Sequence, residues 1–275
     1  MPDMKNYPLS TIHYPLIDIH THILAGLDDG AKDIEHSLAM AEVAVKDGIT
    51  MLVATPHVIK GVFDNSKDTI LENVGTLSKC LESKGIPLRI LPGAEYHLEP
   101  DLPRRMAAGE LLTINDTGRY LLVELPSSMV PDYTGRVLYD LQLQGVTPII
   151  AHPERNAGFE REPELLKNFI SRGVLTQITS TSVTGLFGNS AKKTALRFIK
   201  EGFAHIIASD AHSTHGRSPR LSQAFQEIEH RWGTDYAQTL TSKNPRLIIE
   251  GHPVETCILP KKHSLWSRLL KKSHT

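Results

Sequence analysis

The first apolar run of the chain closes on Asp18-Ile19-His20-Thr21-His22. Alternate residues of an extended segment point the same way, so His20 and His22 can reach one ion. The ending recurs down the sequence, as Ala54-Thr55-Pro56-His57, Pro92-Gly93-Ala94-Glu95, Val123-Glu124, Ala151-His152-Pro153-Glu154-Arg155 and Ser209-Asp210-Ala211-His212. Eight side chains therefore stand at the ends of apolar runs: His20, His22, His57, Glu95, Glu124, His152, Asp210 and His212. A single histidine in such a place is more often a hydrogen-bonded loop residue, and a single acid a cap or surface ion-pair partner. Independent accidents would fall at both ends of the runs, and these do not. Burying that many polar groups is costly unless something pairs them. With 14 histidines but only 2 cysteines in 275 residues, the chemistry indicated is a metal site of nitrogen and oxygen ligands. Asp28-Asp29-Gly30 follows His22 closely enough to add an oxygen ligand, or to be an ordinary Asp-Gly turn. A carboxylate shared between two cations would let the cluster hold more than one ion.

Those side chains need elements to carry them. Short β-branched or apolar runs at residues 16–19, 51–54, 88–91, 120–123, 147–150, 174–178 and 205–208 read as buried parallel strands. Helical stretches separate them. In residues 34–47, Asp33 is the expected N-cap, Leu38, Ala41 and Val45 share a face, and Gly48 ends the helix. Further helices are expected at 69–83, 135–144, 162–172, 190–201 and 218–231. Seven alternating units predict an α/β barrel, which gathers strand C-termini at one mouth. The alternative is an open doubly wound sheet. No G-x-G-x-x-G follows any run, which argues against its dinucleotide-binding form.

Composition narrows the rest. Lys and Arg number 30 against 31 Asp and Glu, a net charge of −1 that argues against nucleic acid as a partner. Neither a signal-peptide core nor an apolar run of roughly 18 residues is visible, so a cytoplasmic protein is expected. Residues 260–275 carry five Lys or Arg and no acid, which leaves the remainder at −6. Leu265, Trp266, Leu269 and Leu270 would line one face of a basic amphipathic helix against an anionic membrane or a partner; a frayed, solvated tail is the plainer reading.

The passages DIHTHILAGLDDGAKD, MLVATPH with KGVFDN, LPGAEYH, VTPIIAHPER and HIIASDAHS resemble the PHP (polymerase and histidinol phosphatase) superfamily, in particular its CpsB/YwqE group of bacterial metal-dependent protein-tyrosine phosphatases. The resemblance spans about residues 17–250. It implies a distorted (β/α)7 barrel of the PHP/TIM-like type and a cluster of three divalent ions, manganese preferred over iron, zinc or magnesium. Its ligands would be His20, His22, Asp29, His57, Glu95, Glu124, His152, Asp210 and His212, with Asp28 a weaker candidate. The division that follows is an N-terminal extension at 1–15, a phosphatase domain at 16–259 and a basic tail at 260–275.

The activity implied is hydrolysis of phosphotyrosine on a capsule- or exopolysaccharide-linked tyrosine autokinase by metal-activated hydroxide. Arg155 and Arg217 beside the ligand motifs are the expected phosphate ligands, since guanidinium pairs with phosphate bidentately. With Asp29 and Asp210 they make up the expected catalytic set. Lys60 is the expected third substrate contact, although Val58 and Ile59 stand where the group often has a basic or polar residue after its T-P-H motif. The competing readings are a small-molecule phosphoesterase such as histidinol phosphatase and a non-catalytic metal-containing binding module. A cysteine phosphatase is excluded by spacing: Ile86 and His263, not arginine, stand six residues after Cys80 and Cys257.

Overall fold

The structure, a computed structural model, describes residues 15–256. The amphipathic face proposed for the basic tail, Cys257 and the N-terminal extension up to residue 14 lie outside the described residues. Among the described residues, nine parallel strands form two sheets. β1 (Leu16–Thr21), β2 (Ile49–Ala54) and β4 (Arg89–Pro92) make one, in the order β1-β2-β4. β3 (His57–Val58), β5 (Glu95–His97), β6 (Tyr120–Glu124), β7 (Thr147–Ala151), β8 (Leu175–Thr179) and β9 (Ile206–Ala208) make the other, in chain order. β3 continues β2 past Thr55-Pro56, and β5 continues β4 past Gly93-Ala94, so the two sheets share seven strand positions. The ring returns to its start where the Asp210 N–H donates to the His20 carbonyl at 2.9 Å and the His22 N–H to the Ala211 carbonyl at 2.8 Å. The seven expected strands all form, and the distortion has a visible cause. β5 pairs with β6 while β4 does not, and Ile114 in the turn Ile114–Asp116 is packed beside β4.

Alternation sorts the apolar residues into two layers. Val53, Leu91, Leu122, Ile149, Leu175 and Ile206 join one cluster, closed by Ile248 and Ile249 of the helix Asn244–Ile249. Leu52, Ile90, Leu121, Ile150, Ile178 and Ile207 face the helices in the other. The apolar plug therefore occupies the N-terminal end of the strands, and the polar groups collect at the opposite end.

The helices confirm the expected spacing with small shifts. The first runs Ile34–Lys46, and the Asp33 carboxylate accepts from the His36 N–H at 2.8 Å. Its buried stripe is Ser37, Met40, Ala41 and Ala44, with Leu38 and Val45 packed at its margins. The next four expected helices form at Lys67–Ser83, Thr134–Leu143, Pro163–Ser171 and Asn189–Lys200, with short helices at Leu102–Ala107, Ala157–Arg161 and Ser180–Thr184 between them. The helix expected from 218 begins instead at Ser222 and ends at Trp232. Its N-terminus is capped from a distance: Asp47 accepts from the Leu221 and Ser222 N–H groups at 2.6 and 2.8 Å, a cap that local spacing does not reveal. Among the described residues no helix is long and apolar enough to cross a membrane.

Candidate metal centre

β1 sets the geometry of the centre. Asp18 pairs with Leu52 and Thr21 with Ala54, three steps against two, so the strand carries a bulge that includes His20 and precedes His22. The two imidazoles then meet, Nε2 to Nε2, at 3.2 Å. Each is oriented by its other nitrogen: His20 Nδ1 lies 2.8 Å from Gln177 Oε1, and His22 Nδ1 lies 2.6 Å from Asp28 Oδ2. The loop that brings Asp28 back over His22 requires Gly30, because a Cβ there would stand 2.1 Å from the His22 carbonyl oxygen. Gly93 serves the same end at the β4–β5 break, where a Cβ would stand 2.8 Å from Val53 Cγ1. His152 and Asp210 adopt left-handed backbone, with φ of 33° and 52°. That conformation is costly for residues with a Cβ and concentrates at functional sites.

Glu95 is the hub. Its fully buried Oε2 lies 3.2 Å from His20 Nε2, 3.4 Å from His22 Nε2 and 3.0 Å from His57 Nδ1, while Oε1 lies 3.1 Å from His152 Nε2. Asp210 Oδ1 stands 3.5 Å from His20 and 3.4 Å from His22. Glu124 approaches His57 and His152 at 3.7 and 3.6 Å. Asp29, 54% exposed, lies 3.2 Å from His212 and 3.7 Å from His57. Three overlapping groups have ligand atoms within 4.8 Å of one another: His22, Asp29, His57 and His212; His20, His22 and Glu95; His57, Glu95 and Glu124. His152 and Asp210 join this cluster through the contacts to Glu95, His20 and His22. All nine expected ligands are thus brought together. Of the two neighbouring aspartates, Asp29 faces the imidazoles, while Asp28 is used up by accepting from His22 and from the Gly30 and His57 N–H groups, each 2.9 Å away.

The donor set fits divalent ions. His57 Nδ1, Glu95 Oε2, Asp210 Oδ1 and His212 Nε2 are buried without a hydrogen-bond partner, and all belong to the cluster. Other buried atoms also lack a partner, the hydroxyls of residues 179–182 among them, but these four are imidazole nitrogens and carboxylate oxygens of one cluster, the donor types that suit a divalent cation. Proton affinities are strongly split. Burial opposes the charge of Glu95 and Asp210, but His20 beside the first and Arg155 and His20 beside the second outweigh it and hold both carboxyls well below their usual range. Burial and the Glu95 charge push Glu124 up to about 7. Burial and Arg155 bring His152 down to about 4, and burial and His22 bring His212 down to about 2, which favours the neutral imidazole a metal requires.

Arg155 Nη1 and Arg217 Nη2 both reach Asp210 Oδ2, at 2.7 and 2.8 Å. The two expected phosphate ligands therefore arrive at one edge of the cluster. Lys60 does not join them. It lines a separate groove of about 560 Å³ with Asp64, Lys67, Arg104 and Glu110, which contains none of the nine ligands. The sequence reading missed Gln177 and Asp18. The second is a fully buried acid, pushed up to about 6 by burial, whose Oδ1 accepts the Ser209 N–H at 3.0 Å and ties the ends of β1 and β9 together. A polar residue inside an otherwise apolar run was the available signal for both.

The sequence profile described as "Capsular polysaccharide synthesis, CpsB/CapC" matches residues 16–250. The chain belongs to this family. Tyrosine-protein phosphatase YwqE of Bacillus subtilis is 39% identical over 239 residues, which is 87% of this chain and 93% of YwqE. The putative tyrosine-protein phosphatase CapC of Staphylococcus aureus is 35% identical over 259 residues, covering 93% of this chain and all of CapC. A crystal structure from work on YwqE and on CpsB of Streptococcus pneumoniae, described as unique metal-dependent tyrosine phosphatases, superposes with a TM-score of 0.85 at 38% identity, covering 90% of this chain and 100% of the other. A lactonase from Listeria monocytogenes, with a TM-score of 0.56 and 13% identity, shares the fold alone. The resemblance to the CpsB/YwqE group is borne out.

Proposed function

We propose that the protein is a metal-dependent protein-tyrosine phosphatase that hydrolyses phosphotyrosine on a bacterial capsule- or exopolysaccharide-linked tyrosine kinase in the cytoplasm. The observation that carries this reading is the convergence of Arg155 and Arg217 on Asp210 at the edge of the nine-ligand cluster. Three ions, manganese preferred, would be held among these groups: one by His22, Asp29, His57 and His212, one by His20 with Glu95 and one by Glu95 with Glu124, with His152 and Asp210 completing the spheres. Divalent ions so placed offset phosphoryl charge and acidify water at neutral pH.

The chain's own groups do the positioning. Asp210 holds both guanidinium groups in place before substrate arrives, so little reorganisation remains when they take the phosphoryl oxygens. Asp28 and Gln177 fix the ring orientations of His22 and His20. Lys60, in the neighbouring charged groove, would contact residues flanking the phosphotyrosine rather than the phosphoryl group. The basic segment 260–275 supplies a contact to the kinase or to an anionic membrane on grounds of charge.

Phosphate release tests the reading. The manganese-loaded protein should hydrolyse a phosphotyrosine peptide far faster than histidinol phosphate, and the Asp210→Ala, His212→Ala double variant should be inactive on both. Full activity of the double variant would overturn the assignment, and a preference for histidinol phosphate would move it to small-molecule phosphoesterases.

A further inference from the structure

A cavity of about 210 Å³ opens directly beside the cluster, between the loops that follow β6 and β7 and the segment after the helix Ser180–Thr184. Glu124, His152 and Arg155 form its polar end. Leu125, Pro153, Phe159 and Phe187 supply the apolar wall. Phe159 is fully buried, whereas Phe187 is 42% exposed, a large apolar face left in contact with water. Its backbone is nonetheless fixed, since the Phe187 N–H donates to the Thr181 carbonyl at 3.1 Å. The Arg155 guanidinium lies 4.7 Å from the centre of the Phe187 ring while its Nη1 holds Asp210, so the arginine is clamped between an aromatic face and a carboxylate.

We infer that this cavity is an aryl subsite, and that Phe187 is a specificity-determining residue that selects aryl over alkyl phosphomonoesters. The inference rests on the phosphatase reading above and deepens it. A phosphoryl group bound by Arg155 places its ester oxygen at the polar end of the cavity, and the substituent on that oxygen then extends along the apolar wall. The cavity is smaller than the roughly 300–1,000 Å³ of pockets that hold drug-sized ligands, which suits one ring rather than a stretch of peptide. A tyrosyl ring there stacks on or edges against Phe187 and covers surface that is otherwise wet. A phosphoseryl or phosphothreonyl group brings no ring and leaves that surface exposed. The Lys60 groove, larger and lined by lysines, arginines and acids, has no aromatic side chain in its lining.

Binding of non-hydrolysable phosphonates to the manganese-loaded full-length protein separates the ring from the phosphoryl group. Phenylphosphonate should bind more tightly than methylphosphonate. Phe187→Ala should reduce that preference about fivefold, the size expected of one aromatic pair, over and above any loss common to both phosphonates from a loosened Arg155. Phe187→Tyr should retain the preference. Phe187→Leu, which keeps apolar bulk without a ring face, is the second variant and should also reduce it. A preference untouched by both Phe187→Ala and Phe187→Leu overturns the subsite, as does equal weakening of both phosphonates by both variants. If the wild-type protein releases no phosphate from a phosphotyrosine peptide, the phosphatase reading falls and the subsite with it. Normal wild-type hydrolysis with an unaltered preference in the variants removes the subsite alone.

Discussion

Asp28 binds no ion in the proposed cluster, yet its charge is expected to govern how well ions bind. Its carboxylate accepts from His22 Nδ1 at 2.6 Å and from the Gly30 and His57 N–H groups at 2.9 Å each. In the metal-free protein burial alone would raise its pKa, but the bond to His22, the charge of that ring and the two backbone donors hold it down at about 2. Asp28→Asn keeps the shape and removes the charge. The amide has one acceptor oxygen and an NH2 group, so at least one of the three donors would face another donor. Hydrogen bonds to a charged group are worth about 1.5–3 kcal/mol, and loss of a carboxylate that orients a ligating histidine typically costs 10–100-fold in metal affinity. Manganese titration against a competing chelator should therefore show the ion held by His22 weakened about 10–100-fold, with the fold unchanged by circular dichroism. Asp29→Asn, which alters an expected ligand, should weaken the same ion. Wild-type affinity in Asp28→Asn would refute the claim that ring orientation by this carboxylate limits binding.

Arg155→Gln should lower kcat/KM on a phosphotyrosine peptide by about 10²-fold, the usual cost of removing one transition-state donor, with metal content unchanged; a loss smaller than about threefold would place the arginine in a purely structural role. Gly30→Ala should fold with a lower melting midpoint and bind manganese poorly, because the new Cβ displaces the backbone at His22; normal metal affinity would contradict the tight approach of that loop. His205, fully buried at the plugged end, takes the Thr176 N–H on Nδ1 at 3.1 Å, and its Nε2 lies 3.0 Å from the Thr256 carbonyl. Burial brings its pKa down from 6.5 to about 4. The unfolded chain therefore takes up this proton first as pH falls below 6.5, and stability is lost down to about pH 4, by about 3 kcal/mol in all. Urea unfolding of metal-free protein at pH 7 and pH 4.5 should show this extra loss in the wild type and not in His205→Asn; parallel losses would contradict it.

The strand ends were legible because histidines and carboxylates recur at the C-terminal end of most apolar runs, and a parallel ring can gather those ends only at one mouth. His20, Glu95, His152 and His212 could be assigned without contact information for that reason. The helix at Ser222 was misplaced because Asp47, 175 positions earlier, caps it. The bulge in β1 was invisible for a similar reason: it shows as three steps along β1 set against two along β2, and pairing is not local. Asp28 and Asp29 were inseparable by type or spacing; their contacts separate them, since Asp28 bonds His22 and the Gly30 and His57 N–H groups while Asp29 faces His57 and His212. Phe187 gave no sequence signal, since its importance lies in the cavity wall it shares with Phe159 and in the guanidinium it covers.

The central claim is that phosphotyrosine hydrolysis depends on ions held by the nine-ligand cluster. Its most direct test is phosphate release from a phosphotyrosine peptide by chelator-stripped protein as manganese is titrated back, with bound metal counted at each point. Release from stripped protein should be negligible and should recover fully as the bound count approaches three per chain. Undiminished hydrolysis by protein free of metal would contradict it.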